Sequence, residues 1–261
     1  ANAFMNHEAL RLLELAQRIG TADPQMLHDL GVLYGRLGRT NESFASHRQA
    51  VALEPKNFVF LRDYGAALLS TGQFSNAAQQ LERAVRENPT DGESRFLTGN
   101  AWAGQDSVTR AINHWETALE VGYDTGPLRY NLGIALESIG DVYAAEEHLG
   151  FAVAREPDSL DYRQRLAVFY LRTNIPEQAL KHFREVLARD SANLNARIGI
   201  GAAHALAGHI DSAYAELGYV RSVDSARAAV MSRMIEQNLQ LRRTIDSAEA
   251  AAAEAKALER K

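Results

Sequence analysis

Small side chains recur in this chain at a fixed interval of 34 residues. Gly31, Gly65, Gly99, Gly133 and Gly201 keep that spacing, and the missing member of the series is Ala167. Twelve residues further on, the series reads Ser43, Ala77, Ala111, Ala145, Ala179 and Ala213. Seven beyond that it is Ala50, Ala84, Ala118, Ala152, Val186 and Val220, and five more gives Pro55, Pro89, Tyr123, Pro157, Ser191 and Ser225. Six consecutive units hold this register without insertion or deletion. An exact period of this length restricts the chain to a stacked array, because each unit can bury its apolar face only against a neighbour.

Each unit reads as a helical hairpin. Between Phe58 and Asp91, Leu61, Tyr64, Gly65 and Leu68 follow the 3–4–7 spacing of one helix face, helix A. A second helix, B, carries Ala77, Ala78, Leu81, Ala84 and Val85 on one face before Pro89 breaks it. Between the helices stands Gly72, and the equivalent positions are Gly38, Asp106, Gly140, Asn174 and Gly208. Gly, Asn and Asp best tolerate the left-handed backbone that ends a helix. The glycine at unit position 8 and the small residue at position 20 let the paired helices approach closely. Larger residues fill the space beside them: Tyr34, Leu68, Trp102, Leu136 and Tyr170 at position 11, and Leu81, Trp115, Leu149, Phe183 and Leu217 at position 24. Both tryptophans fall at these positions, and packing between the helices explains them better than a sugar platform does.

This 34-residue pattern, with Gly at 8, small residues at 20 and 27, bulky residues at 11 and 24 and Pro at 32, resembles the tetratricopeptide repeat (TPR). The resemblance covers residues 24–227. It implies an all-α fold, a right-handed α-solenoid of antiparallel hairpins wound as a TPR superhelix. The expected units are 24–57, 58–91, 92–125, 126–159, 160–193 and 194–227. Position 4, usually Trp in the family, is Leu27 and Leu61 and then Arg95, Arg129, Arg163 and Arg197. Residues 1–23, with Ala9, Leu13 and Ala16 in register, read as a half-repeat helix B, and residues 226–261 as a long capping and projecting helix. Its weak heptad (Met231, Met234, Asn238, Leu241, Ile245) allows self-association. The start at Ala1 suggests a lost upstream segment, so a cytoplasmic and a periplasmic or envelope location both stay open.

The chemistry is sparse. The formal charge of −5 offers no general basic field for duplex nucleic acid. No apolar run is long enough for a transmembrane segment. The absence of cysteine excludes disulfides, thiol nucleophiles and thiolate metal sites in this chain. No nucleophile–base constellation or phosphate loop stands out, so neither catalytic residues nor a cofactor are expected. His114, His148 and His182 share position 23, but stacked equivalents roughly 10 Å apart do not make a zinc site, so no metal is expected.

Binding remains. In TPR proteins, positions 2, 5, 6, 9, 12 and 13 of helix A line the concave groove. The resemblance therefore nominates Arg62, Asp63, Phe96, Asn100, Tyr130, Asn131, Gln164, Arg165 and Arg172 as partner-binding residues, with His28, Asp29, Arg36 and Glu137 on the same face. Amides, both charges and aromatic rings suit an extended peptide. Asn100, Asn131 and Arg165 match three of the five places with which some family members clamp a C-terminal carboxylate, while Phe96 and Asp161 replace the two lysines. Substitution of Asn131 or Arg165 by Ala is expected to weaken binding and leave stability nearly unchanged. The implied function is a non-catalytic scaffold for a protein or peptide partner in a bacterial multiprotein complex. The alternative is the substrate-recruiting module of a larger, glycosyltransferase-like enzyme.

Overall fold

A computed structural model describes residues 10, 11, 14, 15 and 23–258, with side chains through residue 252. The half-repeat positions Ala9, Leu13 and Ala16 lie outside the described residues. The chain divides into two compact units, residues 1–128 and 129–261. The first holds α1 (Pro24–Arg36), α2 (Thr40–Leu53), α3 (Phe58–Leu69), α4 (Phe74–Glu87), α5 (Gly92–Ala103) and α6 (Val108–Glu120). Helix α7 (Gly126–Ser138) carries the boundary. The second continues with α8 (Val142–Arg155), α9 (Leu160–Arg172), α10 (Pro176–Arg189), α11 (Leu194–Leu206), α12 (Ile210–Val223) and α13 (Ser225–Leu258). Among the described residues there is no strand.

Every A-to-B turn is built alike. Gly38, Gly72, Asp106, Gly140, Asn174 and Gly208 all have positive φ, the two non-glycines at 57° and 62°. The residue after each returns its N–H to the carbonyl five residues back: Arg39 to Tyr34, Gln73 to Leu68, Ser107 to Trp102, Asp141 to Leu136, Ile175 to Tyr170 and His209 to His204. These bonds satisfy carbonyls that the ended helix would otherwise leave bare. Where Tyr123 replaces the proline of the third unit, Gly122 (φ 88°) ends helix B in the same manner, with Tyr123 N–H bonded to Ala118.

Helix A starts are capped by side chains at unit position 34, a regularity the sequence holds openly. Asp23, Asn57, Asp91, Thr125, Ser159 and Asn193 each accept an N–H two or three residues ahead. Each such cap is worth about 1 kcal/mol. Arginines gather the position-32 proline carbonyls: Arg83 bonds Pro55, Arg95 bonds Pro89, and Arg163 and Arg189 both bond Pro157.

The core runs along the A–B seams. A Cβ on Gly65 or Gly133 would come within 2.5 Å or 2.8 Å of Leu81 or Leu149, and one on Gly99 within 2.3 Å of Trp115. In these hairpins position 8 therefore sits on position 24, while at Gly201 of the sixth the space is taken by Met231 of α13. The two indoles have separate partners. Trp115 is buried under Gly99 and donates Nε1–H to Phe96 and Asn100. Trp102 packs with Leu68, Ala77 and Leu81, and Arg110 lies over its ring. In the second unit α13 lays Ala228, Met231 and Ile235 on Ala205, Ala213, Leu217 and Val220, and Asn238 bonds the Ala202 carbonyl.

Two glycine substitutions separate packing from helix propensity. Gly99→Ala drives a Cβ into a rigid indole holding two hydrogen bonds and should cost about 2 kcal/mol or more. Gly150→Ala, mid-helix with open space around its Cβ, should stabilise by about 0.5–1 kcal/mol. Chemical denaturation of the two variants against the parent checks both signs.

Candidate functional site

In the first unit, the nominated residues of α3 form an ionic chain. Asp63 takes a hydrogen bond from His28 Nε2 at 2.8 Å and another from Arg62 Nε at 2.9 Å. Arg62 also lies 3.1 Å from Glu93 and 3.8 Å from Asp91. Phe96 tilts against Tyr123 with centroids 5.8 Å apart, and Asn100 accepts from the Trp115 indole at 3.2 Å. Beneath this chain His47 is 2% exposed, stacked on Tyr64 and edge-on to His28. Burial, reinforced by the charge of His28, pushes His47 down to about 4. Burial alone would depress His28 too, but the hydrogen bond and charge of Asp63, aided by Asp29, outweigh it and raise that imidazole above its ordinary value. Asp63 is penalised by burial yet held below the usual carboxylate range by His28 and Arg62.

In the second unit, Tyr130, Asp161, Tyr162, Gln164, Arg165 and Val168 line a hollow of about 360 Å³ between α7 and α9. Tyr130 and Tyr162 stack with centroids 4.8 Å apart. Three nominated residues thus share one concavity, with Asn131 half-buried beside Tyr130 on α7. Arg165 donates to Glu137, whose side chain is only 6% exposed. Arg172 lies 2.8 Å from the other Glu137 oxygen as an ion pair outside hydrogen-bond geometry. Arg165 is therefore a structural ion-pair partner, and its removal is expected to cost stability. A half-buried guanidinium holding a buried carboxylate cannot be removed without leaving that charge poorly compensated.

Tyr162 and His47 were not among the nominated residues. Tyr162 sits at unit position 3, and only the stacking of α9 beside α7 shows its pairing with Tyr130. The signal for His47 was in the sequence, since the run of bulky residues at position 24 begins only with the second hairpin. The position-4 arginines act as lids: Arg129 covers Phe151, Arg197 covers Tyr219 and pairs with Glu216, and Arg163 pairs with Glu185. Among the described residues no three His, Asp or Glu side chains could hold a metal ion, and no helix is long and apolar enough to cross a membrane.

Stacked A–B hairpins with polar and aromatic helix A faces define an all-α solenoid, and the fold is that of a protein–protein interaction scaffold. The chain belongs to the tetratricopeptide repeat family, whose sequence profile matches residues 28–92, 65–127 and 130–193. It is 25% identical over 203 residues to the BBSome complex member bbs-4 of Caenorhabditis elegans, covering 77% of this chain and 43% of that protein. The chain thus spans less than half the length of that relative. Among solved structures it is similar to YrrB, described as a TPR protein with an unusual peptide-binding site (TM-score 0.65, 18% identity, 72% of this chain and 97% of that one). It is also similar to PilW, a widely conserved type IV pilus biogenesis factor (TM-score 0.66, 18% identity, 76% and 92%).

Arg165→Ala should cost about 1–3 kcal/mol in urea unfolding, and Glu137→Leu in the same background should recover most of it, since Leu69 and Leu171 fill the equivalent position 12. A second expectation concerns pH. His47 is depressed in the folded state, so its contribution is present above the unfolded value of 6.5 and is lost as pH falls toward 4, by up to about 3 kcal/mol. His28 has the opposite sign: its contribution is full below 6.5 and fades as pH rises through its raised value. Melting temperature should therefore fall between pH 6.5 and 4 in the parent, and His47→Leu should flatten that fall.

Proposed function

We propose that this chain is a non-catalytic scaffold that holds an extended segment of a protein partner along the helix A face of its repeats, as one part of a multiprotein complex. The observation that carries the reading is the hollow between α7 and α9, where stacked Tyr130 and Tyr162 meet the Gln164 amide and the Asp161 carboxylate. Tyrosine rings supply contact area at low entropic cost, and an amide both donates to and accepts from a peptide backbone. The relative bbs-4 is itself a member of a complex, and YrrB carries a peptide-binding site on the same fold. In the first unit Arg62 and Asp63 engage each other and their neighbours, so the aromatic hollow of the second unit is the better anchor.

The test uses the whole chain as bait, identification of captured proteins by mass spectrometry, and calorimetry with the purified partner. Tyr130→Ala combined with Gln164→Ala should weaken that partner about tenfold or more, the loss expected for an anchoring aromatic residue, with little change in melting temperature. Unchanged affinity in the double variant removes the assignment of the groove.

A further inference from the structure

The acids near the helix A faces differ in how they are spent. In the first unit Asp29 takes a hydrogen bond from Gln25, Asp63 holds His28 and Arg62, and Glu93 pairs with Arg62. In the second unit Glu137 is held by Arg165 and Arg172. Asp161 is the exception. It is exposed, it lines the hollow between α7 and α9, and it has no hydrogen-bond or ion-pair partner among the described residues. Arg165 stands four residues further along the same helix, a spacing at which opposite charges commonly pair. It is bonded to Glu137 of α7 instead.

The same hollow is walled by aromatic rings. Tyr130 and Tyr162 are half-buried and stack with centroids 4.8 Å apart, and Val168 adds an apolar side. About 360 Å³ thus brings together two ring systems and a carboxylate whose charge nothing meets. The Tyr162 hydroxyl feels the local field. Burial raises it above its ordinary value, and the charge of Glu156, then Tyr130 and Asp161, push the same way. Glu156 is also exposed and without an ion-pair partner among the described residues. A field that resists a phenolate favours a cation. Of the lining residues only Arg165 is cationic, and Glu137 meets its charge. Arg172, the second cation on Glu137, does not line the hollow.

We propose that this hollow receives a basic side chain, arginine or lysine, of the bound partner segment, with its charge on Asp161 and its length against the tyrosine rings. The inference rests on the groove reading proposed above and gives that groove a sign. Ring faces attract cations, and a guanidinium stacks flat on them. The carboxylate supplies the opposite charge, and the long methylene stem of either residue packs on apolar surface. An acidic side chain would meet Asp161 with Glu156 close by. An apolar side chain would gain the rings and leave both carboxylates as they are.

The probes are a short alanine peptide, blocked at both ends, with one central arginine, and its twin with citrulline, which keeps the shape of arginine without the charge. Both are titrated into the full chain at low salt, with the ring-proton signals of Tyr130 and Tyr162 as the readout. The arginine peptide is expected to bind about fivefold or more tighter than its twin, a difference that shrinks as salt is added. Asp161→Asn, at an exposed site without a partner, should leave the melting temperature nearly unchanged and remove most of that preference. Equal affinity of the twins, an undiminished preference in the Asp161→Asn chain, or no signal change at millimolar peptide overturns the assignment. If the twins bind alike while the Tyr130 and Gln164 double variant loses its captured partner, the basic side chain is wrong and the groove stands. If arginine is preferred while that double variant keeps its partner, the groove reading falls and the hollow stands as a site for basic side chains alone.

Discussion

A bare stretch of helix backbone laid on a bulky side chain is the contact on which the first four hairpins depend. There position 8 offers no Cβ, and position 24 of the same hairpin fills that gap with His47, Leu81, Trp115 or Leu149. The close approach buries both helices along their length, and dispersion and apolar burial then act over the whole seam. The other small residues follow from it. Ala77, Ala84, Ala111, Ala118, Ala145 and Ala152 are fully buried along these seams, where close packing favours small side chains.

Polarity is organised around that seam. Hairpin turns close on a left-handed residue whose neighbour returns an N–H to position 11, so the tight corner leaves few carbonyls unpaired. Helix A starts take side-chain caps from position 34, while most helix B starts do without one. Arginines collect the proline carbonyls between successive hairpins. These polar contacts are local and repetitive, which frees the helix A faces to vary. Two departures follow from that freedom: a pair of ring-to-ring histidines in the first unit, one of which, His28, bonds Asp63, and in the second unit a tyrosine stack and a buried Glu137 held by arginines.

Much of this was legible from residue types alone. The left-handed turn positions were readable at all six hairpins, including Asp106 and Asn174, because only a few residue types tolerate that backbone. The caps at position 34 are equally readable from their residue types. Side-chain pairing was not legible. Glu137 falls at a groove position of the family, yet it is nearly enclosed by two arginines of α9. The position-4 arginines carry no partner on the face of the sequence, and in the fold they cover rings and pair with carboxylates.

The amino-acid order by itself determined the period, the hairpin, the turn and the closely packed seam, since all of these rest on steric properties that a residue carries wherever it is placed. Only the tertiary structure decided which polar groups are spent on one another and which face a hollow. That choice depends on distances between residues some 15 to 35 positions apart in the chain, such as His28 and Asp63, and a few ångströms there separate an ion pair from an open site.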